Sequence, residues 1–560
     1  MDIFSSYLFP SQLAILNAWV GFVIGYDINI WLVFISKSLD SGIPWNGILT
    51  SSFFLRAIIM TAPPIGALTV SLTNIHGNDW IGRRAELLIA SALWIFGGAL
   101  SRLTCLCFAA QTNRWNDIGF ILLVSGRLVN GMANGLAWHA APLWSSEVAP
   151  TYCRGFVNVW REVALVFGAM SAWCVSKEGD VASLLIIVPA AAILLLATAW
   201  YIPESPRWLL LQRLQRDARG ALEVIHKDQA GVTEKQILSV LVRDQQRRRG
   251  GSEWSQIDDS TFDEGDVAEL LPPSLSHESI STRITALFSP RLRRGTHVAL
   301  GLLVAQQFQG RCIAAIVILG RGISRADEQS NELEDTPDFA STVIFHGTFA
   351  LLFTVLSATL VDTSLFGRRF LLLAGGTLTL TAAVLLIIFR FHPFLLIAAT
   401  VSLVSGYALG IFPLAVLLSS ELFPLVLRAQ GMVLCGGLVF LIDMSSTMLY
   451  SLSVGSEPPP TEGLTLASCA VAALSFGSIS FIYCYVPETK GQTLEEIENT
   501  WMHPHLVSCA TNEFEEKEAY LRGENAEELS FVDQGKSTEH AALIARQERE
   551  KKLNENLAVI

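Results

Sequence analysis

The sequence predicts an all-α membrane protein, with twelve transmembrane helices in two pseudo-symmetric six-helix bundles. Three observations predict it. Of the 560 residues, 51% are hydrophobic and only 16% are charged. Apolar runs of about 20 residues, the length that crosses a bilayer as a helix, recur along most of the chain. The charged signatures that end the runs of the first half return at matching places in the second.

Taken in order, the first six runs lie near residues 12–34, 52–74, 86–108, 118–143, 157–177 and 183–202. The second six lie near 297–320, 341–362, 370–390, 394–419, 430–452 and 465–486. The expected domains are therefore an N-terminal bundle over 1–202, a linker over 203–296, a C-terminal bundle over 297–498 and an acidic tail over 499–560. The linker begins with amphipathic helical sequence (WLLLQRLQRDARGALEVIH) and passes into a Ser-, Asp- and Glu-rich stretch whose composition permits disorder. The first run lacks a basic leader and a small-residue cleavage site, so it reads as a span and not a signal peptide.

Lys and Arg collect in the loops after the even-numbered spans: Arg83 and Arg84, Arg154, the group from Arg207 to Arg249, Arg368 and Arg369, and Arg428. Those loops and both termini are expected in the cytosol. The net charge of −12 resides in the soluble segments, and basic residues flank spans and form no single face, which excludes a nucleic-acid partner. The nine cysteines are scattered without a CxxC pair and read as small apolar residues. No metal-ligand spacing, phosphate loop or nucleophile–base set appears in the soluble parts, so neither a cofactor nor an enzyme activity is expected.

The stretch from Gly126 to Gly155 organises the chain. Gly131, Ala133 and Gly135 let a neighbouring backbone come close, as helices do in lipid. An arginine at membrane depth, such as Arg127, costs at least ~2.5 kcal/mol facing lipid and should face the interior with an acidic partner. Asp27, in the middle of the first span, is the candidate. Arg127 close by would favour its charged form and separation its neutral form, so the pair is expected to couple transport to a proton gradient; a static buried ion pair is the alternative.

The repeat is specific. Span 2 exits into DWIGRR (Asp79, Gly82, Arg83, Arg84) and span 8 into DTSLFGRR (Asp362, Gly367, Arg368, Arg369). Span 4 exits into Glu147 and Arg154, span 10 into Glu421 and Arg428, and spans 6 and 12 into PESPRW (Glu204, Arg207) and PETKG (Glu488). These acids and bases are expected to form a cytosolic latch of exposed pairs, each worth ~0–1 kcal/mol, that makes and breaks as the protein changes state. The two extra residues between Asp362 and Gly367 put the contact of Asp362 in question.

With Gly25-Tyr26-Asp27, Gly126-Arg127, Arg154-Gly155 and Gln306-Gln307 with Gly310, these motifs make the chain resemble the sugar porter family of the major facilitator superfamily, as a divergent member of fungal type, over about residues 12–498. The resemblance implies two bundles around a central substrate site, alternating access, and proton carriage by the matching Asp27 and Arg127. It implies substrate contacts at Gln306 and Gln307. Other family positions differ: an asparagine falls on Cys312, a span 5 glutamine on Glu162 beside Arg161, tryptophans on Val416 and Phe440, and an asparagine on Asp443. Sugar-directed amides and rings are lost and carboxylates gained, which favours a cationic or proton-linked solute at Glu162 and Asp443; pairing of Glu162 with Arg161 is the alternative.

The function expected is transport of a sugar or related small polar solute across the lipid bilayer, by proton symport, at the plasma membrane. The same machine carrying an organic acid, a nitrogenous compound or a secondary metabolite is the alternative. A non-transporting nutrient sensor that signals through the tail is a third reading, separable by deleting residues 500–560.

Overall fold

Lipid offers no hydrogen-bond partner to a backbone, so apolar runs of this length close their own bonds as helices. The computed structural model of the chain describes residues 2–40, 53–77, 81–109, 113–177, 184–226, 237, 280–289, 292–328, 339–389, 392–453 and 461–502. Asp79, Arg390, most of the linker and the tail lie outside the described residues. Every regular element among them is helical.

The first set comprises α1 (Asp2–Asp40), α2 (Phe53–Gly77), α3 (Arg83–Ala109), α4 (Asn113–Val148), α5 (Arg154–Ser176) and α6 (Ile187–Tyr201). Three short helices follow: α7 (Pro206–Leu211), α8 (Gln215–His226) and α9 (Ile280–Leu287). The second set is α10 (Arg293–Glu328), α11 (Phe339–Leu360), α12 (Arg368–Phe389), α13 (Pro393–Leu409) with α14 (Ile411–Leu422), α15 (Arg428–Ser453) and α16 (Thr461–Tyr485), and α17 (Leu494–Met502) closes the described part. Ten described spans are long and apolar enough to cross a membrane, one of them running through α13 and α14 across Gly410. Helix α5, which carries Arg161 and Glu162, and the short apolar α6 stand where the sequence places the fifth and sixth spans.

Three boundaries differ from the sequence expectation. Glu147 is not in a loop; α4 runs on to Val148 and places it on the last helical turn, while Arg154 opens α5. Helix α1 extends well beyond its apolar run at both ends. The amphipathic stretch after span 6 is two helices, broken where Arg213 takes a positive φ of 63°.

Within the first set α1 packs on α5, and α4 on both α2 and α3; within the second α12 packs on α13 and α16. Between the sets, α15 lies against α2 and α11 against α5, the same pairing with the halves exchanged. Two glycines bring α1 and α5 backbone to backbone: a Cβ on Gly25 would lie 2.0 Å from the Leu165 carbonyl oxygen, and one on Gly168 2.3 Å from that of Phe22. Dispersion and close approach replace the hydrophobic effect as the cause of helix association in lipid. This contact fixes the height of Asp27, two residues after Gly25.

Candidate functional site

Three groups of charged side chains lie along the molecule: a buried cluster around Asp27, a central cavity, and a cage at the charge-rich end.

Asp27 is fully buried and Arg127 is 4% exposed. Arg127 Nη1 lies 3.3 Å from Asp27 Oδ1, and its guanidinium carbon stands 4.7 Å over the Trp31 ring. Asn130 Nδ2 donates to Asp27 Oδ1 at 2.8 Å and Asn134 Nδ2 to Oδ2 at 3.2 Å. Trp94 Nε1 in turn donates to Asn134 Oδ1 at 3.0 Å. A charge taken from water needs paired, hydrogen-bonded partners, and Asp27 has three. Sequence reasoning missed the asparagines, although Arg127, Asn130 and Asn134 stand at i, i+3 and i+7 and so share a helix face.

The central cavity has a volume of about 160 Å³. That is below the ~300–1,000 Å³ of drug-sized ligand sites and suits a small solute. Both halves build it: Asn134, Trp138, Arg161 and Glu162 from the first set, and Gln306, Gln307, Arg311 and Asp443 from the second, with Phe412, Val416 and Phe440. Gln306, Gln307, Glu162 and Asp443 thus line the same cavity. Gln306 Nε2 is engaged, donating to the Phe412 carbonyl at 2.6 Å. Cys312, by contrast, packs against the apolar cluster of Ile313, Ile316 and Leu403 and is not on the cavity wall; it follows Arg311 on the helix and so faces another way.

The cavity shows the alternative pairing of Glu162 with Arg161 and adds a partner for Asp443. Each carboxylate is paired, Glu162 with Arg161 and Asp443 with Arg311, so these four side chains are formally balanced and carry no excess of negative charge. Arg311 was the unread partner; it lies one turn beyond Gln307 on the same face of α10. Nor are aromatic faces lost: Trp138 from one half meets Phe440 from the other edge to face, centroids 5.9 Å apart, a geometry aromatic pairs favour. Arg161 is 2% exposed and its Nη1 has no hydrogen-bond partner among the described residues. His346, near the end of α11, is satisfied, with Thr342 O at 2.9 Å and Thr400 Oγ1 at 3.1 Å.

At the charge-rich end the repeat becomes two matching cages. In the first half Arg83 lies 3.5 Å from Glu147, which accepts from Ser205, and Glu204 accepts from the Arg84 backbone N–H at 3.1 Å. In the second half Arg368 lies 3.4 Å from Glu421, which accepts from Thr489 at 2.7 Å, and Glu488 accepts from the backbone N–H groups of Arg368 and Arg369, both at 3.0 Å. Glu204 and Glu488 therefore place their carboxyl groups at helix N-termini, where the helix dipole favours negative charge. A Cβ on Gly82 would come 2.1 Å from Glu204 and one on Gly367 2.2 Å from Glu488, so a side chain at either place would displace the carboxyl group. Arg84 and Arg369 turn outward to the carbonyls of Trp200 and Tyr483.

Contacts cross between the halves here. Arg154 lies 3.9 Å from Glu421 and donates to the Gln492 carbonyl at 3.2 Å. Asp362, despite its lengthened loop, is 2.8 Å from Arg368 and accepts from the Phe156 backbone N–H of α5 at 2.7 Å. Arg207 lies 2.9 Å from Glu495. Arg428 donates to Phe423 O at 3.0 Å. The expectation of exposed pairs fails: the side chains of Arg83, Glu147, Arg368 and Glu421 are at most 1% exposed. Burial pushes the Asp362 carboxyl above its usual range, against the pull of Arg368. Burial acts the same way on Glu495, but Arg207 overcomes it and holds that carboxyl below the usual range.

Comparisons with known proteins agree with this architecture. The family described as "Sugar (and other) transporter" matches residues 13–501. The chain is 29% identical to the D-xylose-proton symporter-like 1 of Arabidopsis thaliana, over 88% of this chain and 89% of that one. It is 26% identical to polyol transporter 5 of the same plant, over 87% and 85%. The solved structure of the proton:xylose symporter XylE of the major facilitator superfamily, bound to 6-bromo-6-deoxy-D-glucose, superposes with a TM-score of 0.69 at 22% identity, covering 88% of this chain and 99% of that one.

Proposed function

We propose a function from the fact that the chain belongs to the sugar transporter family: it moves a sugar, a polyol or a related small polar solute across a membrane by alternating access, in symport with a proton. The observation that carries this reading is the cavity whose wall both halves supply and whose Asn134 also bonds Asp27. A solute between the halves would take hydrogen bonds from Gln307 and Asn134 and stack on Trp138 or Phe440.

In this reading Asp27 carries the proton and Arg127 is its counter-ion. Protonation cancels the charge that Arg127 balances and loosens the contact between α1 and α4. The cages at the charge-rich end form the gate, and Asp79 is assigned to it by its place in the repeat. That end is cytosolic, as the Lys and Arg distribution implies, with both termini on the same side and the plasma membrane as the site of action. Residues 1–202 and 297–498 are the two moving bundles, 203–296 the linker and 499–560 the tail.

One observation favours a second reading of the cargo. The buried Arg161 Nη1 at the cavity wall has no acceptor among the described residues, and guanidinium–carboxylate pairs join opposite charges through charge-assisted hydrogen bonds. A polyhydroxylated acid would supply that acceptor.

Counterflow in proteoliposomes decides between them. The purified chain is tested with pentoses, hexoses, polyols and sugar acids at two pH values. Exchange of a neutral sugar or polyol, weakened at least tenfold by Gln307→Ala, supports the first reading. Exchange confined to acids and abolished by Arg161→Gln supports the second. Exchange of no solute in the panel would contradict both.

A further inference from the structure

The two asparagines that hold Asp27 are not equivalent. Asn134 Oδ1 accepts from Trp94 Nε1, a group that can only donate. That bond fixes the Asn134 amide with its NH2 toward Asp27 Oδ2. Asn130 donates its Nδ2 to Asp27 Oδ1 at 2.8 Å, but its own Oδ1 is buried and has no partner among the described residues. Nothing therefore holds the Asn130 amide in one sense, and a half-turn about its last bond exchanges oxygen and nitrogen with almost no change of shape.

We propose that Asn130 is an amide switch that reads the protonation state of Asp27, and that the transported proton sits on Asp27 Oδ1. The proposal rests on the reading that Asp27 carries the proton. An ionised carboxylate accepts at both oxygens, and both asparagines then donate, as the structure shows. The neutral acid has one O–H, which needs an acceptor. A proton on Oδ2 would face the fixed NH2 of Asn134, donor against donor. A proton on Oδ1 meets Asn130, which turns its amide and accepts with its Oδ1, while Asn134 continues to donate to the C=O that remains at Oδ2. The proton arrives from hydronium in the water path and returns to water on the other side; no other bond forms or breaks.

The surroundings fit this assignment. The charged group facing Asp27 from α4 is Arg127, whose Nη1 sits 3.3 Å from Oδ1 and 3.4 Å from Oδ2 and loses its counter-charge when either oxygen is protonated, so the choice of oxygen rests on the two asparagines. From α5, Arg161 and Glu162 face the cavity that Ile24 and Ile28 also line, and they neutralise one another. Helix α6 carries no charged residue. Behind the amide stands Gly97 of α3, where a Cβ would lie 2.2 Å from Asn130 Oδ1, so the amide packs directly on α3 backbone.

The test is the external-pH dependence of proton-driven uptake in proteoliposomes, each variant normalised to its own maximum, with thermal melting of the purified carrier as the measure of folded protein. Asn134→Ala removes a donor whose bond is stronger to the carboxylate than to the acid, and should move the uptake midpoint upward by roughly one to two pH units. Asn130→Ala removes a donor from one state and an acceptor from the other, so the midpoint should move by less than half as much. Asn130→Thr, whose hydroxyl can donate or accept, should restore the original midpoint. Cooperative thermal melting should persist in all three. Equal upward shifts in Asn130→Ala and Asn134→Ala would make Asn130 an ordinary second donor and overturn the proposal, as would failure of Asn130→Thr to restore the midpoint. Asp27→Asn is run alongside: if it still accumulates solute against a gradient, the reading beneath the proposal fails, and not the amide switch alone.

Discussion

The two ends of the helical bundle hold the halves together in different ways. At the charge-rich end the halves meet through buried ionic contacts: Arg154 with Glu421, Arg207 with Glu495, and Asp362 with the N-terminus of α5. At the opposite end the described contacts are apolar, with Val33, Trp173 and Ala340 clustered together, and an exposed hydrogen bond from Lys177 to Ser341. Apolar surfaces part and re-form without specific partners. Buried charges cannot part until water or a new partner replaces each lost contact. The ionic end is thus the one whose opening needs a trigger, and a carrier that must never open both ends at once benefits from this asymmetry.

The largest expected effect breaks the ionic end. Glu421 is shared by Arg154 across the halves and Arg368 within its own. Glu421→Ala leaves both guanidinium groups without it, a change that costs ~3–5 kcal/mol when a buried pair is broken. Probes at the exposed Tyr152 and Leu365, one in each half, should then report a longer distance; an unchanged distribution would show that Glu421 does not hold the gate.

The equivalent change in the other cage sharpens the comparison. Glu147 contacts Arg83 and Ser205 directly, apart from its backbone contact with Arg207, and reaches the other half through its charge on Arg428, with no ion pair to it among the described residues. Glu147→Ala should lower the thermal stability about as much as Glu421→Ala, yet lengthen the distance between the same two probes less. Identical effects on distance would mean that the cages, not the cross-half contacts, close this end.

A pH effect of smaller size follows from Asp362. Its carboxyl is raised in the closed end, so the closed end binds a proton more readily than an open, hydrated one would. Acidification through the window above the ordinary ~3.9 of an aspartate should therefore favour the closed end, and the preference should fade as pH rises. Asp362→Asn should abolish this dependence of the probe distance. Glu495 has the opposite sign: its contribution is complete above the ordinary ~4.3 of a glutamate and is lost only below it. The smallest effect belongs to the apolar end. Lys177→Ala removes an exposed bond and should change stability by no more than ~0.5 kcal/mol, read as melting temperature, with no change in probe distance.

What the sequence revealed follows the same division. The cages were legible because a repeat displays matched motifs twice, and chemistry that recurs at equal places in two halves needs no coordinates to be found. Their burial was not legible, because a charged residue at a span end looks the same whether it faces water or another helix. Around Asp27 the sequence pointed to the pair but not to Asn130 and Asn134, since amides carry no charge to betray them inside a span. In the cavity the sequence offered the pairing of Glu162 with Arg161 as an alternative but gave no partner for Asp443, which Arg311 supplies. That second pair depends on which faces of α10 and α15 meet, which only tertiary packing decides.

The central claim is that Asp27 links solute movement to proton movement. Its most direct test is uptake into proteoliposomes under an imposed inward proton gradient, comparing the natural chain with Asp27→Asn. The account predicts accumulation above equilibrium for the natural chain and equilibration only for Asp27→Asn, with counterflow preserved in both. Equal accumulation by the two would contradict it.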